Sequence, residues 1–99
     1  MTFNPYHKWL GILPEEQPPN HYRLLGIVDF ESDEEIIEGA ASQRTLYLRT
    51  LASGKHEEAA AKLLNEVAAA RVTLLSQETR EEYNRTLKAS PTISDSDST

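Results

Sequence analysis

Cysteine is absent from this sequence. Disulfides, thiolate metal sites and thiol catalysis are thereby excluded, and the composition suits a reducing, cytoplasmic setting. Basic residues are scarce: 10 Lys and Arg stand against 16 Asp and Glu, a net charge of −6. Nucleic acid is therefore not expected as a partner, because binding phosphates needs a basic face. No run approaches the ~20 apolar residues of a membrane-spanning helix. The opening "MTFNPYHKWLG" lacks the basic start and apolar stretch of a signal peptide. Direct membrane contact is not expected either. Glycine-rich phosphate loops, internal repeats and the alternation of a strand are all missing. A chain of 99 residues leaves room for a single small domain without a deep enzyme pocket.

What is present reads as helices. In "FNPYHKWLGILPEEQPPN", Asn4 can cap a short helix, Pro5 suits its first position and Gly11 its exit. Pro14, Pro18 and Pro19 are expected to keep the chain extended as far as Asn20. Tyr6, Trp9 and Leu10 are expected to fold back onto the main body. "NHYRLLGI" gives one or two helical turns between Asn20 and Gly26, with Tyr22, Leu25 and Ile27 facing the core.

"SDEEIIEGAASQRTLYLRTLAS" reads as a long helix opened by a Ser32–Glu35 capping box. Ile36, Ala40, Gln43, Tyr47 and Leu51 share one face, with Ile37, Ala41, Leu48 and Ala52 beside it. Gly39 is a weak point, or a place where a neighbouring helix comes close. After Gly54 a second long helix carries the stripe Ala60, Leu63, Val67, Ala70 and Leu74, widened by Leu64 and Leu75. So short a link between two amphipathic helices implies an antiparallel hairpin. "SQETREEYNRTLK" supplies a last helix, capped by Ser76, with Tyr83 and Leu87 inward. The polar end, "ASPTISDSDST", is expected to be disordered. The organisation is therefore an aromatic and proline-rich segment over 1–19 packed on a helical domain over 20–88, with a tail or linker over 89–99. The fold class is all-α.

Catalytic signals are not found. His7, His21 and His56 are scattered, and Ala60 stands where a zinc-protease pattern begun by His56-Glu57 would need its second histidine. His56 reads as a solvated residue at the start of a helix. Glu57-Glu58 and Glu81-Glu82 are neighbours that point different ways, not facing carboxylate pairs. Neither an enzyme, a cofactor, a metal nor a small-molecule substrate is expected. Asn84-Arg85-Thr86 has the form of a glycosylation acceptor but falls on a helix. Ser94 and Ser96 beside acids are weak phosphorylation candidates. Arg44, Arg71, Arg80 and Arg85 form either a basic strip or a set of structural ion pairs. Glu81 sits one turn before Arg85, whereas Arg44 and Arg71 have no acid at that spacing and read as the freer two.

From Asn20 to Lys88 the pattern resembles the J-domain of the DnaJ co-chaperone family. Tyr22, Leu25, Gly26 and Ile27 resemble its tyrosine-x-x-leucine-glycine opening. "LLNEVAAARVTLLSQETREEYN" resembles its third and fourth helices, ending in Arg80-x-x-Tyr83. In that family a His-Pro-Asp tripeptide after the second helix, with the helix's basic face, stimulates a heat-shock ATPase chaperone. Here the corresponding positions are Leu48, Arg49 and Thr50, and the tripeptide occurs nowhere. The helix is acidic as well, with Asp33, Glu34, Glu35 and Glu38 against Arg44 and Arg49. The whole segment "NPYHKWLGILPEEQPPNHYRLLGI" further resembles J-like modules, without the tripeptide, at the head of larger bacterial proteins.

The resemblance implies a non-catalytic protein-interaction module that does not drive the chaperone cycle. Its partner would be another protein or a later domain of the parent chain. Tyr6, Trp9, Arg44, Leu48 and Arg49 are the contact candidates. Two alternatives stand beside it: a divergent co-chaperone using Arg49 and His56 in place of the tripeptide, and a regulatory N-terminal domain of a larger enzyme such as a kinase.

Overall fold

The structure is a computed structural model that describes residues 3–52 and 54–89. Among these residues there are five α-helices, one 3-10 turn and no strand. The helices are α1 (Pro5–Leu10), α2 (His21–Leu25), α3 (Glu34–Leu51), α4 (Glu57–Leu75) and α5 (Gln77–Ala89). Ten residues of the expected tail, 90–99, lie outside the described residues together with Ser94 and Ser96, while Ala89 ends α5.

The two short helices are built alike. Asn4 accepts a hydrogen bond from the His7 amide at 3.3 Å, and Asn20 accepts one from the Arg23 amide at 2.7 Å. Each helix stops at a glycine in the left-handed region, Gly11 at φ 70° and Gly26 at φ 80°. The amide just beyond reaches back into the helix, Ile12 to the Tyr6 carbonyl at 3.1 Å and Ile27 to the Tyr22 carbonyl at 3.0 Å. The residue carrying that amide is apolar and turns inward, as this kind of stop favours. Ile12 is fully buried and Ile27 packs against the core. Between the two helices the chain is not simply extended. Pro14–Glu16 forms the 3-10 turn, which Arg23 pins by donating to Glu16 Oε1 from Nε and Nη2.

α3 and α4 pack along most of their lengths as an antiparallel pair, with Arg71 of α4 bonded to Glu38 of α3 at 2.8 Å. The α4 stripe is buried as expected, at Ala60, Leu63, Val67, Ala70 and Leu74. On α3 the burial falls one step round the helix from the expected face. Ile37, Ala41 and Leu48 are buried, while Ile36 and Tyr47 are exposed. This face of α3 packs chiefly on α4, and α2 packs on both helices, adding Tyr22, Leu24 and Leu25 to the core. Leu24 was not anticipated.

Several local expectations need correction. The α3 cap is Asp33, whose Oδ1 accepts from the Glu35 and Ile36 amides, and not Ser32. The Glu31 carboxylate holds the Ser32 and Asp33 amides, which fixes the choice. Gly39 has open space where a side chain would project, so it does not serve close packing. Arg71 is paired rather than free, and Glu81 accepts from Gln77 Nε2 instead of pairing with Arg85. Arg80 is buried, with Nη1 donating to the Leu74 carbonyl at the end of α4 at 2.9 Å. Asn84 is engaged by the Tyr22 hydroxyl. No helix among the described residues is long and apolar enough to cross a membrane.

Candidate functional site: a groove and an aromatic clasp

α1 lies against two different surfaces. On one side the Tyr6 hydroxyl donates to Glu66 Oε1 at 2.7 Å and accepts from Lys62 Nζ at 3.1 Å, and Lys62 also pairs with Glu66 at 2.6 Å. Burial, then the Glu66 carboxylate, push the Tyr6 phenol above its ordinary pKa. The hydroxyl is thus committed to α4, and Tyr6 acts as a tether.

The other side carries the aromatics to the bend between α3 and α4. Phe3 stacks on His56 with ring centres 4.0 Å apart and planes 15° off parallel. Trp9 meets both edge-on, at 5.2 Å from Phe3 and 6.0 Å from His56. Such pairs stabilise by ~0.5–1.5 kcal/mol each beyond the area they cover. His56 stands at the start of α4 and makes no side-chain cap bond. It is a half-covered partner of the N-terminal segment, not the solvated residue anticipated. His56, at the start of α4, is therefore clasped by Phe3 and Trp9.

Beside the clasp runs a groove of about 410 Å³. α1 contributes Trp9, the end of α2 contributes Leu25 and Gly26, and α3 contributes Ala40, Gln43, Arg44 and Tyr47. Arg44 is its central feature. Nε donates to the Leu24 carbonyl at 3.0 Å, so the guanidinium sits at the negative end of α2. The guanidinium lies against Gly26: a Cβ built there would be 2.6 Å from Nη2. Only a residue without a side chain leaves that space, and only one tolerant of φ 80° ends the helix there.

Burial lowers the Arg44 pKa, and the nearby Arg23 charge lowers it further. The group still carries its charge at neutral pH. Among the described residues no carboxylate lies within ion-pair distance of it. Arg23, by contrast, pairs with Glu16 at 3.0 Å. A half-buried cation answered by one carbonyl and flanked by two aromatic residues is an incomplete pairing.

Comparison with protein-family models, curated proteins and solved structures finds no match.

Of the five contact candidates, the structure brings Trp9 and Arg44 together in the groove. Tyr6 is held on α4. Leu48 has 0% exposure and belongs to the core, so no partner reaches it without opening the hairpin. Arg49 is exposed on a different face of α3, near Thr45 and Leu46. Gln43 and Tyr47 were not singled out as contacts. Periodicity places them on one face with Ile36, Ala40 and Leu51; in the structure Tyr47 keeps 44% of its surface and Gln43 is exposed. The available signal was polarity: a glutamine and a tyrosine one turn apart at the margin of an apolar face suit a rim better than a core. Among the described residues there is no cluster of three His, Asp or Glu able to hold a metal ion.

Proposed function

We propose that this chain is a non-catalytic, J-domain-like protein-interaction module that does not stimulate a heat-shock chaperone ATPase. Its working surface is the groove between α1, the end of α2 and α3. The observation that carries this reading is the state of the α3–α4 bend. The positions aligned with the family's tripeptide, Leu48, Arg49 and Thr50, lie inside α3, with Leu48 wholly buried. A tripeptide that engages a partner has to be presented from a loop, and here that stretch is regular helix. At the far side of the bend, the His56 ring is held by Phe3 stacked on it and Trp9 edge-on to it. The His56 ring is already engaged by the N-terminal segment, which supports reading it as a structural contact and not a substitute for the tripeptide.

The partner is another protein or a further domain of a parent chain, docking on the exposed groove rim. Half-buried aromatics beside an arginine are the residue types that anchor such contacts. A steady-state ATPase assay with a bacterial heat-shock ATPase chaperone and this chain in excess tests the negative half. The expected rate equals the chaperone's basal rate, and several-fold stimulation would overturn the reading.

A further inference from the structure

We infer that the groove recognises a carboxylate: its occupant is an extended acidic segment of a partner protein, with an Asp or Glu seated on Arg44 and a neighbouring apolar or aromatic side chain between Trp9 and Tyr47. The inference rests on the interaction-module reading above and specifies the chemistry of that same groove.

Three observations point to it. Arg44 is the one cation lining the groove, and it uses a single N–H on the Leu24 carbonyl while its Nη atoms make no bond with another described residue. A guanidinium presents five N–H groups in a planar fork that matches a carboxylate bidentately. Second, the further polar groups lining the groove are also unpaired toward it. The Trp9 indole N–H, the Gln43 amide and the Tyr47 hydroxyl donate to no described residue. Four donor side chains surround one space, and none of the lining residues is an acid.

Third, the charge is local and contrary to the whole. The chain carries a net −6, so an acidic segment is repelled from most of its surface and held best where a half-buried cation lacks an acid and other donors converge beside it. Three other arginines are consumed, Arg23 by Glu16, Arg71 by Glu38, Arg80 by the Leu74 carbonyl and Glu34, while Arg49 and Arg85 are exposed on surfaces outside the groove. Aromatic walls add a place for the flanking side chain and lower the water content around the ion pair, which strengthens it. Gly26 contributes by absence, since it lets the guanidinium lie low enough for its outer edge to face the groove.

The test is selection of a displayed random heptapeptide library on the full chain, followed by amide and indole NMR mapping of the selected peptides. Wild-type protein is expected to enrich peptides with Asp or Glu next to an aliphatic or aromatic residue. Those peptides are expected to shift the Trp9 indole and Gly26 amide signals. Replacing their acid by its amide should weaken binding at least tenfold. Gln43→Glu supplies a competing carboxylate to Arg44 without touching its bond to Leu24, and is expected to abolish selection of acidic peptides while the helical spectrum is unchanged. Arg44→Gln should do the same if it folds.

Groove-bound peptides that lack acids, with binding indifferent to Gln43→Glu, would overturn the carboxylate and leave the module reading standing. No peptide binding at the groove at all would overturn both. Shifts of Trp9 in Asp95→Asn/Asp97→Asn, with acidic peptides bound only by that variant, would make the chain's own C-terminal residues the occupant and also refute the proposal. A concentration-dependent dimer closed through Trp9 would refute it in favour of a second copy.

Discussion

Gly11 and Gly26 provide an internally controlled perturbation. Both end a short helix in the left-handed region, at φ 70° and φ 80°. A side chain at Gly11 would meet nothing within 4 Å, whereas one at Gly26 would lie 2.6 Å from Arg44 Nη2. Gly11→Ala therefore incurs only the conformational penalty, about 1 kcal/mol. Gly26→Ala incurs the same penalty and also lifts Arg44 from its seat. The arginine end is flexible, so the clash itself is relieved cheaply. What is lost is the charge-assisted bond to the Leu24 carbonyl, worth about 1.5 kcal/mol at a half-exposed site. Gly26→Ala should thus cost about 2.5 kcal/mol.

For a domain of this size the difference between the two variants corresponds to roughly 6–12 °C in melting temperature. Thermal and urea unfolding followed by circular dichroism measure it. In an Arg44→Gln background the excess at position 26 should fall close to zero, because the bond it removes is already gone. Equal losses for Gly11→Ala and Gly26→Ala, or an excess unchanged in that background, would refute the placement of Arg44 over the end of α2.

Asp33→Ala should cost about 1 kcal/mol by freeing the Glu35 and Ile36 amides. Ser32→Ala should stay within about 0.5 kcal/mol in the same urea series, and a reversed order would restore Ser32 as the cap. Leu48→Ala should cost about 3 kcal/mol from a fully buried site. Leu46→Ala, 64% exposed only two residues away, should be nearly silent. Burial holds the His21 pKa below its ordinary 6.5. Since the folded state disfavours the imidazolium, this contribution is complete above pH ~6.5 and is lost as pH falls through the lower folded value. Proton NMR should give His21 a midpoint under 6.5, and acid should depress the melting temperature of wild type more than that of His21→Gln. A midpoint at or above 6.5 contradicts the packing of His21 on Tyr83.

Much of the fold was legible because its signals are local. Asn4, Asn20, Gly11 and Gly26 mark helix ends through bonds spanning only a few residues. The α4 stripe was legible because most of the helix's large apolar residues, Leu63, Leu64, Val67, Leu74 and Leu75, gather on one side, whereas the far side carries Glu58, Asn65 and alanines, with Val72 the exception. α3 is apolar at adjacent positions, Ile36 with Ile37 and Tyr47 with Leu48. Periodicity then detects a helix but cannot fix its rotation, which is decided by tertiary packing, chiefly against α4 and also against α2. The α3 cap was ambiguous for a related reason. Ser32 and Asp33 are both competent, and the neighbouring Glu31 carboxylate decides between them.

The candidate site was only half legible. Trp9 and Arg44 stood out by residue type and by the lack of an acid one turn away, but nothing local placed them together. Arg44 finds its carbonyl 20 residues earlier, and Tyr6 finds Glu66 at a separation of 60. His56 was misread because its ring partner, Phe3, lies at the far end of the chain. Contacts of such range leave no spacing rule in a single sequence.

The engagement of His56 by the N-terminal segment is most directly tested by nuclear Overhauser contacts among the Phe3, Trp9 and His56 rings. The account predicts strong Phe3–His56 cross-peaks and an upfield ring-current shift of the His56 protons, both lost in Phe3→Ala. Random-coil shifts for Phe3 with an uncovered His56 ring would contradict it.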